Sequence, residues 1–308
     1  MADIVITEFM DEEVIVRDLA GRDVVYDPTL VDRPDALAGL LAGARALVVR
    51  NRTQVRAPLL ASAPRLRVVG RLGVGLDNID VDACRARNIA VCPATGANDI
   101  AVAEYVLTAA LVLLRKAWAA TPRVVAGDWP RMELIGREVS GQRLGLVGLG
   151  AIARQTATRA RALGMIVAAF DPLLPADHAA WSGVERMGLE SLLAESDVVS
   201  LHVPLTAQTR SMIDASALAR MKPRAVLINA ARGGVVDEEA LVAALRAGAL
   251  GGAALDVFDA EPLDAARGSR FAGIPGLLLT PHIAGVTEQS NVRVSAVTAA
   301  AVLRHLDA

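Results

Sequence analysis

Gln142-Arg143-Leu144-Gly145-Leu146-Val147-Gly148-Leu149-Gly150-Ala151-Ile152-Ala153 is the stretch that decides the fold. An apolar β-type run through Val147 feeds a turn of the form G-x-G-x-x-A, and the Ala/Arg-rich residues that follow have helical spacing. Gly148 gives the tight turn. Gly150 lets backbone N–H groups, including those of Ala151 and Ile152 in the first helical turn, approach a pyrophosphate, and Ala153 keeps the helix close to the sheet. Alone, such a turn is a weak signal in a chain with 25 glycines. Its context is stronger: the next β-type run ends at Asp171, 21 residues after Gly150, where a carboxylate can accept from adenosine ribose hydroxyls. Asp171 is followed by Pro172-Leu173, with no arginine cluster to hold a 2′-phosphate, so the cofactor is expected to be NAD rather than NADP.

Outward from this turn, short β-branched runs alternate with Ala-, Leu- and Arg-rich helical segments. The runs before the turn are Ile4–Ile6, Ala46–Val49, Val68–Gly70 and Ile89–Val91; those after it are Ile166–Phe170, Val198–Leu201, Ala225–Asn229, Gly252–Asp256 and Leu277–Thr280. Such alternation marks parallel sheets built from βαβ units. A dinucleotide domain normally opens with its glycine turn, yet about 98 residues of α/β pattern precede this one and need a sheet of their own. The expected fold class is therefore α/β, with two doubly wound parallel-sheet domains. Residues 1–98 and 283–308 are assigned to one, and residues 99–282 to a Rossmann domain inserted into it. A helical run from about Asp99 to Ala119, apolar almost all round, carries the chain into the second domain; a last helix, roughly Thr287 to Leu306, returns it.

Bulk properties bound the function. A chain of 308 residues, 53% hydrophobic and 21% charged, fits a well-buried α/β protein and excludes a disordered one. A net charge of −2 offers no general attraction for nucleic acid or anionic lipid. Cys84 and Cys92 have neither metal spacing nor the density of a disulfide framework, so reduced thiols and no metal site are expected. The N-terminus lacks the pattern of a signal peptide, and the most apolar stretch, Ile100 to Leu114, falls short of the roughly 20 residues that cross a bilayer. A cytoplasmic protein is expected.

Three residues then arrive just past separate strand-like runs. Arg232, in Asn229-Ala230-Ala231-Arg232-Gly233-Gly234, can fork onto a carboxylate and a carbonyl oxygen and polarise the latter. An isolated strand-end arginine is more often in a surface ion pair, but the paired glycines suggest a close approach to this backbone. His282, in Thr280-Pro281-His282, is one of four histidines. A lone histidine is more often structural; beside a nicotinamide an imidazole that exchanges protons near neutrality becomes the natural acid/base. Glu261 is its candidate partner, since a carboxylate bonded to an imidazole fixes the tautomer and favours the protonated ring.

With these residues taken together, the chain resembles the D-isomer-specific 2-hydroxyacid dehydrogenases. The resemblance runs through Gly70 to Asp80, Gly148 to Ala153, His202 to Thr206, Asn229 to Asp237, Leu255 to Pro262 and Pro281 to Ala284. It implies a flavodoxin-like substrate domain, Arg232 as substrate anchor, His282 as acid/base and Glu261 as its partner. It further implies that Asp256 bonds the nicotinamide carboxamide, with Ala230 nearby, and that backbone at Val74 and Gly75 holds the substrate carboxylate. His202, Val203 and Pro204 would line the adenine pocket with Thr209 beside them, and a homodimer would form through the nucleotide domain. Many relatives carry Arg where this chain has Ala151, so a side-chain contact to the pyrophosphate is lost. The regulatory domains of long phosphoglycerate dehydrogenases are not part of this sequence, and feedback through them is not expected.

Arg50, Arg71 and Arg131 could converge on a second anionic group of the substrate, although any one of them could equally be a surface arginine in an Arg-rich chain. In phosphoglycerate dehydrogenases corresponding arginines serve the phosphate, and Ile4 to Glu13 resembles short sulfolactate dehydrogenases. The expected substrate is a three-carbon 2-hydroxy acid with an anionic or polar β-substituent (3-phosphoglycerate, 3-sulfolactate or glycerate), with closure of the two domains excluding water. The alternative is an NAD(H)-sensing binding protein on the same fold without significant turnover.

Overall fold

The computed structural model describes residues 2–116, 118 and 120–308. They form two compact units, one of residues up to Asn98 together with Val286–Ala308, the other Asp99–Gly285. The return point lies three residues later than the sequence suggested. Ile283 and Ala284 donate their N–H groups to Asp256, which ties them to the second unit.

The first unit is a five-stranded parallel sheet of β1 (Ile4–Ile6), β2 (Val24–Tyr26), β3 (Ala46–Val49), β4 (Val68–Arg71) and β5 (Ala90–Pro93), in the order β2-β1-β3-β4-β5. That is the flavodoxin-like order. β1, β3 and β4 are buried along their whole length because helices cover both faces, which is why they read as unbroken apolar runs. The helix Glu288–Asp307 opens with a Thr287/Ser290 capping box and lays Val294, Ala299, Val302 and Leu306 onto one face of this sheet. It comes so close that a Cβ at Gly70 would lie 2.8 Å from Thr298 and Val302 methyl carbons.

The second unit is a seven-stranded parallel sheet of β6 (Arg143–Val147), β7 (Ile166–Phe170), β8 (Glu185–Arg186), β9 (Val198–Leu201), β10 (Val226–Asn229), β11 (Gly252–Leu255) and β12 (Leu277–Leu279). Its order, β12-β11-β10-β9-β6-β7-β8, reverses between β6 and β9, as in dinucleotide-binding sheets. The helix Ala151–Ala162 buries Ala153, Thr156, Ala157 and Ala160, the i, i+3, i+4, i+7 stripe that small residues allow to sit close on the sheet.

Three expectations need correction. The edge strands β2 and β8 were missed: β2 is a three-residue apolar run that is only half-buried, and β8 is two exposed charged residues. The helix from Asp99 ends at Arg115, with Lys116 at φ +56°; of its expected remainder, residues 117 and 119 lie outside the described residues. Nor is it buried all round: Ile100, Glu104, Thr108, Leu111 and Arg115 form an exposed stripe. No helix among the described residues is long and apolar enough to cross a membrane.

Candidate active site

The carboxyl ends of β6, β7 and β9 to β11 carry most of the residues singled out by the sequence. After β6, Gly148 turns at φ +94°, and a Cβ there would come within 2.6 Å of His202 O; only glycine fits. No side chain caps the helix that begins at Ala151, and a Cβ built on Gly150 meets nothing within 4 Å. Ala151 is exposed, whereas Ala153 is fully buried against the sheet. A bare, open helix start of this kind fits an anionic pyrophosphate, whose charge the first-turn N–H groups would meet. Asp171, just past β7, accepts from Leu149 N at 2.9 Å through Oδ2 and from Leu173 N at 3.0 Å through Oδ1. The acid that would hold a ribose therefore also pins the glycine turn. Past β9, His202 lies 3.0 Å from Ser200 Oγ through Nε2, and burial pulls its pKa down to about 4, so the ring is neutral at pH 7. Val203 is half-buried and Pro204 exposed; Thr209 donates to Pro204 O at 2.6 Å and so closes the loop that carries them.

Past β10, the buried Asn229 folds the Arg232 loop. Its Oδ1 accepts from Ala231 N at 3.1 Å and its Nδ2 donates to Arg232 O at 2.9 Å, while Ala230 is half-buried between them. Arg232 Nη1 donates to Ala231 O at 2.5 Å. The close approach suggested by Gly233-Gly234 is internal: a Cβ at Gly233 would sit 1.8 Å from Phe258 O. The Arg232 loop thus rests directly on the loop that carries Glu261. That second loop is held by two carboxylates. Glu261 Oε1 accepts from Phe258 N at 2.9 Å, and the buried Glu238 accepts from Asp259 N at 2.7 Å while pairing with Arg270.

Glu261 Oε2 lies 2.6 Å from His282 Nδ1. Burial alone would raise the Glu261 pKa, but the bonds from His282 and Phe258, with the nearby charges of His282 and Arg232, outweigh it and hold it below its ordinary value. An ionised carboxylate can only accept, so the proton of this contact sits on Nδ1. Nε2 is left to exchange a proton with a ligand. The trio named from sequence is therefore brought together within one unit.

Asp256 is 1% exposed, and its carboxylate organises the backbone around His282. Its Oδ1 accepts from Thr280 Oγ1 at 2.6 Å and Ile283 N at 2.8 Å, and its Oδ2 from Ala284 N at 2.7 Å. Burial is the larger influence and raises its pKa despite these donors. Thr280 in turn lies 2.6 Å from Tyr105 Oη.

In the first unit, Arg71 closes β4. It is 8% exposed and its Nε donates to Gly75 O at 2.8 Å and its Nη1 to Leu72 O at 2.6 Å, so it shapes the Val74–Gly75 loop from beneath. Val74 is exposed at the tip of that loop. Arg50, just past β3, is half-buried; its Nη2 donates to Asn291 Oδ1 at 3.0 Å and its guanidinium lies 5.7 Å from the Phe9 ring centroid. The loop beneath it is built on the buried Glu8, which accepts from the backbone N–H groups of Arg50, Asn51, Arg52 and Thr53. Arg131 is exposed in the second unit. Glu8, Tyr105, Asn229, Glu238 and Thr280 were not singled out from sequence; Thr280 and Asn229 adjoin named motifs, and Glu8 is an acid directly after a buried strand.

Comparison with known proteins gives the family. Residues 107–284 match the family model described as D-isomer specific 2-hydroxyacid dehydrogenase, NAD binding domain. The chain is 57% identical over 307 residues to (S)-sulfolactate dehydrogenase of Chromohalobacter salexigens, covering 99% of each. It is 40% identical over 250 residues to D-3-phosphoglycerate dehydrogenase of Synechocystis, a match to 81% of this chain and 45% of that relative, so the chain spans about half its length. The structure of D-lactate dehydrogenase from Aquifex aeolicus, complexed with NAD and lactic acid, matches with a TM-score of 0.88 at 28% identity, over 99% of this chain and 95% of that one. The chain belongs to the D-isomer-specific 2-hydroxyacid dehydrogenases, NAD-dependent oxidoreductases of small 2-hydroxy acids.

Proposed function

We propose that this protein interconverts 3-sulfolactate and sulfopyruvate, with His282 as the acid/base, Glu261 as its partner and Arg232 as the substrate anchor. The observation that carries the catalytic reading is the 2.6 Å contact between His282 Nδ1 and Glu261 Oε2, the Glu261 loop being braced against the Arg232 loop at Gly233. When bound, NADH supplies a hydride to C2 of the oxo acid, and NAD takes one from the hydroxy acid. In reduction the Nε2 proton of His282 goes to the carbonyl oxygen, and the Glu261 carboxylate stabilises the ring while it carries its second proton. Arg232 draws out the negative charge that develops on that oxygen and anchors the substrate carboxylate. Gly148, Gly150, Ala151 and Ile152 would hold the pyrophosphate by backbone N–H groups, Asp171 the ribose, and His202, Val203, Pro204 and Thr209 the adenine end. Ala230 and Asp256 flank the nicotinamide end, Val74 and Gly75 supply backbone donors to the substrate carboxylate, and Arg71 contributes by shaping that loop.

The sulfonate is supported by the end-to-end likeness to an (S)-sulfolactate dehydrogenase, and Arg50 is the proposed partner for it. The (S) label is consistent with a D-type enzyme: a sulfonate-bearing carbon outranks the carboxylate in the naming rules, so the spatial arrangement of D-lactate is named (S) in sulfolactate. The test is initial-rate NADH oxidation with sulfopyruvate, phosphohydroxypyruvate, hydroxypyruvate, pyruvate and glyoxylate, with NADPH as control. The expected result is the highest kcat/KM with sulfopyruvate and NADH. A higher value with phosphohydroxypyruvate would replace the sulfonate by phosphate. Tight NADH binding without turnover on any of them would favour the sensor.

The protein is proposed to act as a homodimer in the cytoplasm. The reading is supported by the segment 124–135, which exposes Val125 by 83%, Trp129 by 75%, Met132 by 79% and Ile135 by 57%. A second copy seated there would carry Arg131 with it. Light scattering is expected to give twice the chain mass; a monomer would refute the assignment.

A further inference from the structure

His282 adopts φ +56°, a left-handed backbone that side chains other than glycine rarely take, so its surroundings must hold it there. Three donors converge on one residue to do so. His282 N donates to Asp256 O at 2.8 Å, Ile283 N to Oδ1 at 2.8 Å and Ala284 N to Oδ2 at 2.7 Å. The direction in which the Asp256 carboxylate is turned therefore decides the path of residues 282–284. At 1% exposure that carboxylate has no bulk water to orient it. Thr280 Oγ1 donates its only proton to Asp256 Oδ1 at 2.6 Å. The 2.6 Å contact between Tyr105 and Thr280 must then run from the phenol O–H to Oγ1. Burial raises the Tyr105 pKa, which keeps this donor protonated throughout the working range.

We propose that Tyr105, acting through Thr280 and Asp256, is a positioning residue that sets the backbone from which His282 presents its imidazole to Glu261 and substrate. It stands on the helix Asp99–Arg115, 175 positions from Thr280, and couples that helix to the catalytic loop by a directed chain of hydrogen bonds. Such chains strengthen one another inside a protein and fail together. The inference rests on the reading of His282 as the acid/base.

The test compares kcat, KM and the NADH dissociation constant of the wild type with those of Thr280→Val, Thr280→Ser, Tyr105→Phe, the double variant Tyr105→Phe/Thr280→Val, and His282→Ala. Thr280→Val is expected to lower kcat about tenfold, the scale of a sub-ångström misplacement of a catalytic group, with KM and NADH affinity changed less than about twofold. Thr280→Ser, which keeps the hydroxyl, is expected to restore most of kcat. Tyr105→Phe is expected to lower kcat about threefold alone and not at all in the Thr280→Val background, because its effect passes through Thr280. Equal losses for Ser and Val, additive losses in the double variant, or a loss confined to NADH affinity would overturn the proposal. If Thr280→Val does not fold, Tyr105→Phe decides, and an unchanged kcat overturns it. Wild-type turnover in His282→Ala would instead overturn the acid/base reading itself.

Discussion

Gly233→Ala is the substitution in which geometry and rate are most tightly linked. The added Cβ would lie 1.8 Å from Phe258 O, 2.2 Å from Phe258 C and 2.8 Å from Asp259 N, all of them backbone atoms that no rotamer change can move aside. The loops must part by at least about 1 Å before these contacts approach van der Waals separation. One loop carries Arg232; the other carries Glu261 and, through it, orients His282. Overpacking of this kind costs about 1–3 kcal/mol, which for a unit of this size lowers Tm by roughly 2–10 °C. A displacement of about 1 Å between catalytic groups costs on the order of 10²-fold in kcat/KM. Gly234→Ala is the control. Its backbone lies at φ +77°, a left-handed conformation that costs a side chain about 1–2 kcal/mol, yet the nearest atom is the end of the flexible Arg210 side chain at 3.2 Å. Thermal melts and initial rates should give both variants comparable Tm losses, but a severe rate loss for Gly233→Ala alone. Equal kcat/KM for the two would refute the claim that this contact aligns the site.

Glu261→Gln should lower kcat about 10²-fold with little change in NADH affinity, measured by initial rates and fluorescence titration, because the ring loses its ionised partner. As Glu261 is held below its ordinary pKa, its stabilising bond to His282 persists from neutral pH through the ordinary carboxylate range and is lost only as pH falls further, so the wild-type rate profile should show no Glu261 inflection above about pH 5. Arg50→Met should raise KM for sulfopyruvate at least about tenfold and change KM for pyruvate far less, since only the former presents a second anion. His202 has a folded pKa of about 4, below the unfolded value near 6.5, so the unfolded chain binds the extra proton and stability falls as pH drops from about 6.5 to 4. The loss is at most about 3 kcal/mol and smaller because part of the residue is solvent-accessible; His202→Asn should flatten the dependence of Tm on pH in that window.

Much of this protein was legible in its sequence, for physical reasons. β6, β9, β10 and β11 are sealed on both faces, so each announces itself as an apolar run, and the residues just beyond them are where an α/β sheet presents its chemistry. The edge strand β8 carries no such signature, and β2, Val24-Val25-Tyr26, is too short to stand out. Arg71 reads as a ligand for an anion from its position; in the structure two of its N–H groups go to Leu72 O and Gly75 O, a backbone role that the sequence does not disclose. The supporting polar residues were the least legible. Tyr105 and Thr280 are joined across 175 positions and Glu238 and Asp259 across 21, and a polar residue does not disclose such a partner in its own neighbourhood of sequence.

The most direct test of the central claim is single-turnover NADH oxidation by sulfopyruvate in the wild type and in His282→Gln, with NADH binding measured alongside. An amide can still meet Glu261 but cannot deliver a proton at Nε2, so the expected result is unaltered NADH binding with the chemical step slowed at least about 10²-fold. An unslowed chemical step in His282→Gln would contradict the assignment of His282 as the proton donor.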